Sequence, residues 1–260
     1  VGKACGEIIG EERRTMADIS TEKVTLHVSD GTTMLAYVAR PKGADKAPGM
    51  MVFQEAFGLT PHIREIAERL AGEGYTAIAP ELFHRTAAPG TELSYNDFPA
   101  VMPHYQAVTT PTLQADIQAT YDWLQKDANT AGNRVGCMGF CLGGKTSYVA
   151  CATVSLQAAI SFYGGGIGPG QMGPGLLDMA PKMHAPIMMF WGGLDKHIPA
   201  EQTRPIEDAL TAAGKDFVKV KISFADHAFM RNGAPAYNEK AAKLAWTLSK
   251  DFLGINLKAN

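Results

Sequence analysis

"RVGCMGF" (134–140) runs directly into "CLGGKTSYVACAT" (141–153), and the junction "GFCLGG" (139–144) decides how the rest of the chain is read. The first stretch is apolar and strand-like, and the second starts a helix. Gly139, Cys141 and Gly143 form a Gly-x-Cys-x-Gly step where the two meet. A nucleophile carried on a sharp strand-to-helix turn needs neighbours without a Cβ, because the backbone passes very close on both sides. The helix that follows points its positive end at residue 141, which favours a thiolate over a thiol. Taken alone, the pattern fits a small buried cysteine better. The segments on either side reverse that preference.

Working outward, the apolar period switches repeatedly between strand and helix. "KVTLHV" (23–28) and "MLAYVAR" (34–40) alternate around the turn "SDGT" and read as an antiparallel hairpin. "APGMMVFQ" (47–54) is a continuous apolar run, as in a strand buried on both faces. "PHIREIAERLAGEG" (61–74) has helical spacing, with Thr60 at the cap and Pro61 in the first turn. Strands are predicted at 75–80, 134–140, 156–164, 185–192 and 217–223, with helices at 113–128, from 142, at 199–215 and at 235–253. This order predicts an α/β fold: a mostly parallel eight-stranded sheet with helices on both faces. Residues 81–112 and 164–182 read as long irregular loops, a usual place for function. In a parallel sheet, the loops after strand C-termini form the ligand-facing edge.

The composition narrows the function classes. The chain has 260 residues, 46% hydrophobic and 19% charged, enough to bury a sizeable core in one domain. Its net charge of −2, with both signs interspersed, offers no surface for nucleic acid. The longest apolar runs, such as "APIMMFW" (185–191), are too short to span a bilayer. The start of the chain lacks the basic-then-apolar layout of a secretory leader. Residues 1–15 read as a polar tail ahead of a single domain at 16–260, with Met16 a candidate start. The four cysteines (Cys5, Cys137, Cys141, Cys151) form neither a disulfide framework nor a metal-ligand spacing, which fits a reducing cytoplasmic compartment. No metal or cofactor is expected, and the expected partner is a small molecule. "GGGIGPG" (164–170) has the glycines of a dinucleotide loop, but a proline interrupts it and no helix start or acidic residue follows.

A nucleophile on such a turn needs a base and an acid downstream, in the order nucleophile, acid, base. Asp195 in "GLDKHIP" lies just beyond the strand at 185–192, and His227 in "FADHAFMRNG" just beyond the strand at 217–223. His227 is the candidate base for Cys141, and Asp195 the candidate holder of the imidazole. His197 and Asp226 are the nearby competitors. The loop "FQEAFGL" (53–59) should supply an oxyanion-hole amide from Ala56, with the second from Leu142. Glu55 projects into the same region. Each residue has an ordinary reading too: Asp195 as a turn or cap residue, Glu55 as a surface carboxylate.

Together the stretches "FQEAFGL", "ELFHRTAAPGT", "GFCLGGK", "WGGLDKHIP" and "DHAFMR" resemble the dienelactone hydrolase family of α/β-hydrolases, over about residues 50–231. The resemblance implies hydrolysis of a small anionic enol-lactone, of the dienelactone-to-maleylacetate type, by a Cys-His-Asp triad. It implies that the acid at Glu55 takes the thiol proton once substrate binds, and that Arg85 and Arg231 bind the substrate carboxylate. A guanidinium suits that task because its fork matches a carboxylate. Tyr163, at the end of "ISFYGGG", matches a family tyrosine at a strand end. Residues 91–111 depart from the family pattern where substrate is covered. The runner-up readings are a broader carboxylesterase or thioesterase using the same site, and a ligand-binding relative without catalysis. A monomer or homodimer is expected.

Overall fold

The computed structural model describes residues 18–43, 45–170 and 173–258. The expected polar tail, residues 1–15, lies outside the described residues. The opening hairpin is β1 (Ile19–His27) and β2 (Thr33–Pro41), paired antiparallel from Ile19↔Pro41 to His27↔Thr33. Then come β3 (Ala47–Phe53), α1 (Pro61–Gly72), β4 (Thr76–Pro80), α2 (Phe98–Ala107), α3 (Thr110–Lys126), β5 (Thr130–Phe140) and α4 (Leu142–Cys151). The chain continues through β6 (Ala158–Phe162), β7 (Ile187–Gly192), α5 (Ala200–Ala212), β8 (Phe217–Ile222) and α6 (Glu239–Leu257). The eight strands lie in the order β1-β2-β4-β3-β5-β6-β7-β8. The sheet is mixed: β2 pairs antiparallel with both β1 and β4, and the five pairings from β4 to β8 are parallel.

Burial follows the sequence pattern. Every residue of β3, β4, β6 and β7 is buried, as expected of strands covered on both faces. β1 and β8 are the edges and carry most of the exposed strand residues. α1 and α6 cover one face, their contact marked by the Arg69 guanidinium 3.9 Å from the Trp246 ring. α3 and α4 cover the other face and touch each other. At the C-terminal ends of β5, β6 and β7, Phe140, Phe162 and Phe190 stand in register. Their rings stack at 4.9 Å and 4.5 Å, a firm apolar floor beneath the strand-end loops.

Two expectations change. Thr60 occupies the N-cap position of α1, but its side chain makes no capping bond, and Pro61 alone marks the start. Residues 81–112, read as irregular, contain α2. Pro99 and Pro103 interrupt its sequence, and Asp97 supplies the cap by accepting from the Ala100 N–H at 3.1 Å. α2 buries Val101, which packs with Ala56 and Phe57 of the loop after β3 and with Leu93 and Tyr105.

Candidate active site

The turn at 139–144 has the close approaches that its glycines imply. A Cβ on Gly139 would stand 2.0 Å from the Gly143 carbonyl oxygen, and one on Gly143 would stand 2.1 Å from that of Phe53. Between them Cys141 sits at φ 54°, ψ −110°, in the left-handed half of the map that side chains avoid. Its amide donates to the Phe162 carbonyl at 3.0 Å, and its carbonyl accepts from Gly144 and Lys145 in the first turn of α4. The backbone therefore holds residue 141 up from the sheet at the mouth of a helix N-terminus. Cys137 and Cys151 are fully buried, whereas Cys141 is partly exposed.

His227 reaches this turn from the loop after β8. Its Nδ1 lies 2.7 Å from Asp195 Oδ2, and its ring is close enough to Cys141 for the sulfur to favour the charged imidazole. Asp195 is 5% exposed, and its other oxygen accepts the His197 amide at 2.8 Å. Asp226, the competing acid, turns to the backbone and accepts the His227 amide at 2.7 Å. The His197 ring stands 5.9 Å from the His227 ring, centroid to centroid. Burial disfavours the imidazolium, but the Asp195 and Cys141 hydrogen bonds and charges outweigh it and raise the His227 pKa to about 10. Burial also works on Asp195, yet the His227 contact keeps its pKa below the ordinary value.

Glu55 is 1% exposed and accepts from Arg231 Nη1 at 3.1 Å. Burial pushes its carboxyl pKa up against the opposing pull of Arg231 and His227. Arg231 lies 3.8 Å from the centre of the Tyr95 ring, a cation–π contact. Tyr163 is buried at φ 38°, its ring centre 4.9 Å from that of His227, and its hydroxyl has no hydrogen-bond partner among the described residues. Burial, then the Glu55 and Cys141 charges, raise its pKa well above the ordinary phenol value. Cys141, Tyr163 and Ala228, the residue after His227, are the non-glycine residues with positive φ among those described, and all three lie at this site.

The Leu142 and Ala56 amides have no hydrogen-bonded acceptor among the described residues. Gln54, fully buried, ties the loop after β3 to its neighbours: its Oε1 accepts the Leu82 amide at 3.0 Å and its Nε2 donates to the Glu55 carbonyl.

The structure thus brings Cys141, His227, Asp195, Glu55, Arg231 and Tyr163 into one region. It commits Arg85 elsewhere. The guanidinium of Arg85 donates to both oxygens of Asp116, at 2.9 Å and 2.8 Å, and to Asp30 at 2.7 Å. Each of its three nitrogens thus already meets a carboxylate of the protein. Three residues emerge that the sequence reading missed. Tyr95 stacks on Arg231, Tyr105 on α2 has its titration pushed up to about 12 by burial and then by the Cys141 charge, and Gln54 braces the loop after β3. The two tyrosines stand in a stretch whose prolines and polar residues conceal a helix, and Gln54 sits at the end of an apolar run.

Among the described residues, no helix is long and apolar enough to cross a membrane, and no group of three His, Cys, Asp or Glu is placed to hold a metal ion.

Comparison with known proteins identifies the family. The family model described as "Dienelactone hydrolase family" matches residues 34–257. A Salmonella typhimurium protein provisionally named carboxymethylenebutenolidase is 36% identical over 228 residues, covering 86% of this chain and 83% of that protein. The carboxymethylenebutenolidase of Pseudomonas putida is 30% identical over 237 residues, covering 90% of this chain and 96% of its own. A Klebsiella pneumoniae crystal structure, provisionally named a dienelactone hydrolase, superposes with a TM-score of 0.83 at 32% identity, covering 91% of this chain and 99% of the other. The chain therefore belongs to the dienelactone hydrolase family, within the α/β-hydrolases that cleave ester and lactone bonds.

Proposed function

We propose that this protein hydrolyses a small ester or enol-lactone, of the dienelactone type, through a thioester on Cys141. One observation carries the proposal: Cys141 stands on its strained turn beside an imidazole whose charged form it favours, and Asp195 holds that ring at 2.7 Å. In that arrangement His227 takes the thiol proton and the Cys141 sulfur attacks the substrate carbonyl carbon. The carbonyl oxygen becomes an oxyanion within reach of the Leu142 and Ala56 amides, which have no other acceptor. When the tetrahedral intermediate collapses, the C–O bond breaks, and the departing oxygen either takes a proton from His227 as an alkoxide or leaves as an enolate that stays unprotonated. In a lactone this oxygen stays tethered to the acyl group. Water then attacks the thioester, with His227 or the enolate accepting its proton, and the carboxylate product leaves with Cys141 restored.

Arg231 is the cation placed to meet a carboxylate on the substrate. Its hydrogen bond to Glu55 couples the two events: an incoming carboxylate that draws Arg231 away leaves Glu55, buried and with a raised pKa, ready to accept a proton. A broader carboxylesterase is the second reading. It is favoured by the Arg85 geometry, in which each guanidinium nitrogen already meets a carboxylate of the protein.

The test is direct. Brief reaction with an activated ester followed by mass spectrometry should find the acyl group on Cys141, and Cys141→Ala should abolish turnover. Arg231→Gln should raise KM mainly for substrates that carry a carboxylate. A Cys141→Ala protein with normal turnover would end the proposal.

A further inference from the structure

We propose that His197 is a specificity-determining residue for the leaving group, and that the site takes open-chain esters whose alcohol half carries a hydroxyl. This rests on the hydrolytic reading above and adds to it the half of the substrate that departs.

His197 stands where that half must lie. Around the His227 ring, Asp195 meets Nδ1 at 2.7 Å, and the fully buried Tyr163 ring stands 4.9 Å from its centre. The His227 side chain still keeps 24% of its surface open to solvent. His197 is exposed, and its ring meets that of His227 edge-on, at 5.9 Å between centres and 79° between planes. With Nδ1 turned to Asp195, Nε2 is the nitrogen left to protonate a departing alkoxide or phenoxide. The departing oxygen must therefore come within hydrogen-bond reach of His227, and the group it carries then lies beside the neighbouring imidazole.

The position of His197 is fixed although its ring is exposed. Its amide donates to Asp195 Oδ1 at 2.8 Å, and the next residue, Ile198, is buried. The loop itself is clasped to the loop after β8: Gly193 donates to the Ile222 carbonyl at 2.7 Å, and Leu194 to that of Ala225 at 2.9 Å. A Cβ on Gly193 would stand 2.5 Å from the Ser223 Cα, so the two backbones are in contact. The His197 ring, by contrast, makes no hydrogen bond or ion pair among the described residues. A neutral imidazole offers one donor and one acceptor, and a hydroxyl can meet either. The exposed charges next to the two histidines in the chain are Lys196 and Asp226, one of each sign. That balance suits a neutral polar group better than an ionised one.

The test uses two esters of the same acid, phenyl butyrate and 4-hydroxyphenyl butyrate, whose phenols are of similar acidity. The added hydroxyl lies one ring's breadth from the ester oxygen, comparable to the 5.9 Å between the two imidazole centres. His197→Phe keeps a ring against His227 but can neither donate nor accept, and His197→Gln restores a donor and an acceptor. Both variants retain the backbone amide that bonds Asp195. Two readouts are taken: kcat/KM for each ester, and rapid-mixing kinetics that separate acylation of Cys141 from hydrolysis of the thioester.

His197→Phe should lower the hydroxyphenyl-to-phenyl ratio of kcat/KM by about fivefold or more, as expected for the loss of a neutral hydrogen bond. His197→Gln should bring the ratio back to within about threefold of wild type. Both esters leave the same butyryl group on Cys141, so the change should appear in acylation and be missing from deacylation. An unmoved ratio would overturn the proposal. So would an equal slowing of both steps for both esters, which would make His197 a prop for the His227 ring. A wild type that hydrolysed neither ester would instead sink the hydrolytic reading, and this proposal with it.

Discussion

Replacing Asp195 with asparagine isolates the charge that holds the His227 imidazole. The Asp195 oxygen stands 2.7 Å from His227 Nδ1, and the residue is buried, so water screens the pair little. Burial alone would lower the His227 pKa, yet it rises from the ordinary 6.5 to about 10 because Asp195 and Cys141 both favour the charged ring. Two unit charges about 4 Å apart at an effective dielectric of about 20 attract by about 4 kcal/mol. At about 1.4 kcal/mol per unit that is an upper bound of roughly three pKa units for the Asp195 charge. Asparagine keeps the shape and an acceptor oxygen but has no charge, so His227 should titrate about 2–3 units lower. Turnover should fall by about 10⁴, as in a triad without its acid.

The pH dependence of stability has a definite sign. The folded-state pKa of His227 lies above its unfolded value, so its stabilisation is complete below about pH 6.5 and is lost as pH rises towards 10. Asp195 has a lowered pKa, so its share is present above the ordinary carboxylate value and disappears in acid. Asp195→Asn should therefore be most destabilised relative to wild type near pH 6, and the gap should narrow towards pH 10. Histidine NMR titration and thermal melts at those two pH values measure both effects. Identical His227 titrations, or a melting gap that does not change with pH, would refute the argument.

Other outcomes follow from the same geometry. Cys141→Ala should lose at least about 10³ in kcat while keeping its melting temperature, since triad members act as a unit; single-turnover kinetics and calorimetry check both. Gly143→Ala should fail to fold or melt far below wild type, because its new methyl would meet backbone, the Phe53 carbonyl, at 2.1 Å; soluble yield and circular dichroism read this out. Tyr163→Phe should leave stability unchanged or slightly raised, because the buried hydroxyl has no partner to lose and such a group costs about 1–3 kcal/mol. A clear drop in its melting temperature would reveal an interaction of that hydroxyl that matters to the fold.

The framework was legible because periodicity reports burial. "APGMMVFQ" reads as a doubly covered strand and is one, and the positions just past β5, β7 and β8 were enough to choose Cys141, Asp195 and His227. Periodicity fails where a helix is held mainly by its neighbours. α2 carries Pro99 and Pro103, and its Tyr105 packs on a loop instead of on the sheet. The partner of Arg85 was hidden for a different reason. Asp116 lies 31 residues along the chain in an amphipathic helix, where an aspartate ordinarily faces water. A buried ion pair depends on where two distant segments meet, and the spacing of residues along one segment carries no trace of it. The same holds for Arg231 and Glu55, 176 residues apart.

The three left-handed residues, Cys141, Tyr163 and Ala228, leave a mark on how this protein would evolve. Each side chain held in that region costs about 1–3 kcal/mol, and the rest of the fold must supply the restraint. Glycine at 228 would relieve the neighbour of His227 and toughen the protein against heat. It would also let the imidazole wander from its register with the sulfur. Selection for robustness and selection for turnover would then pull the same dihedral angle in opposite directions.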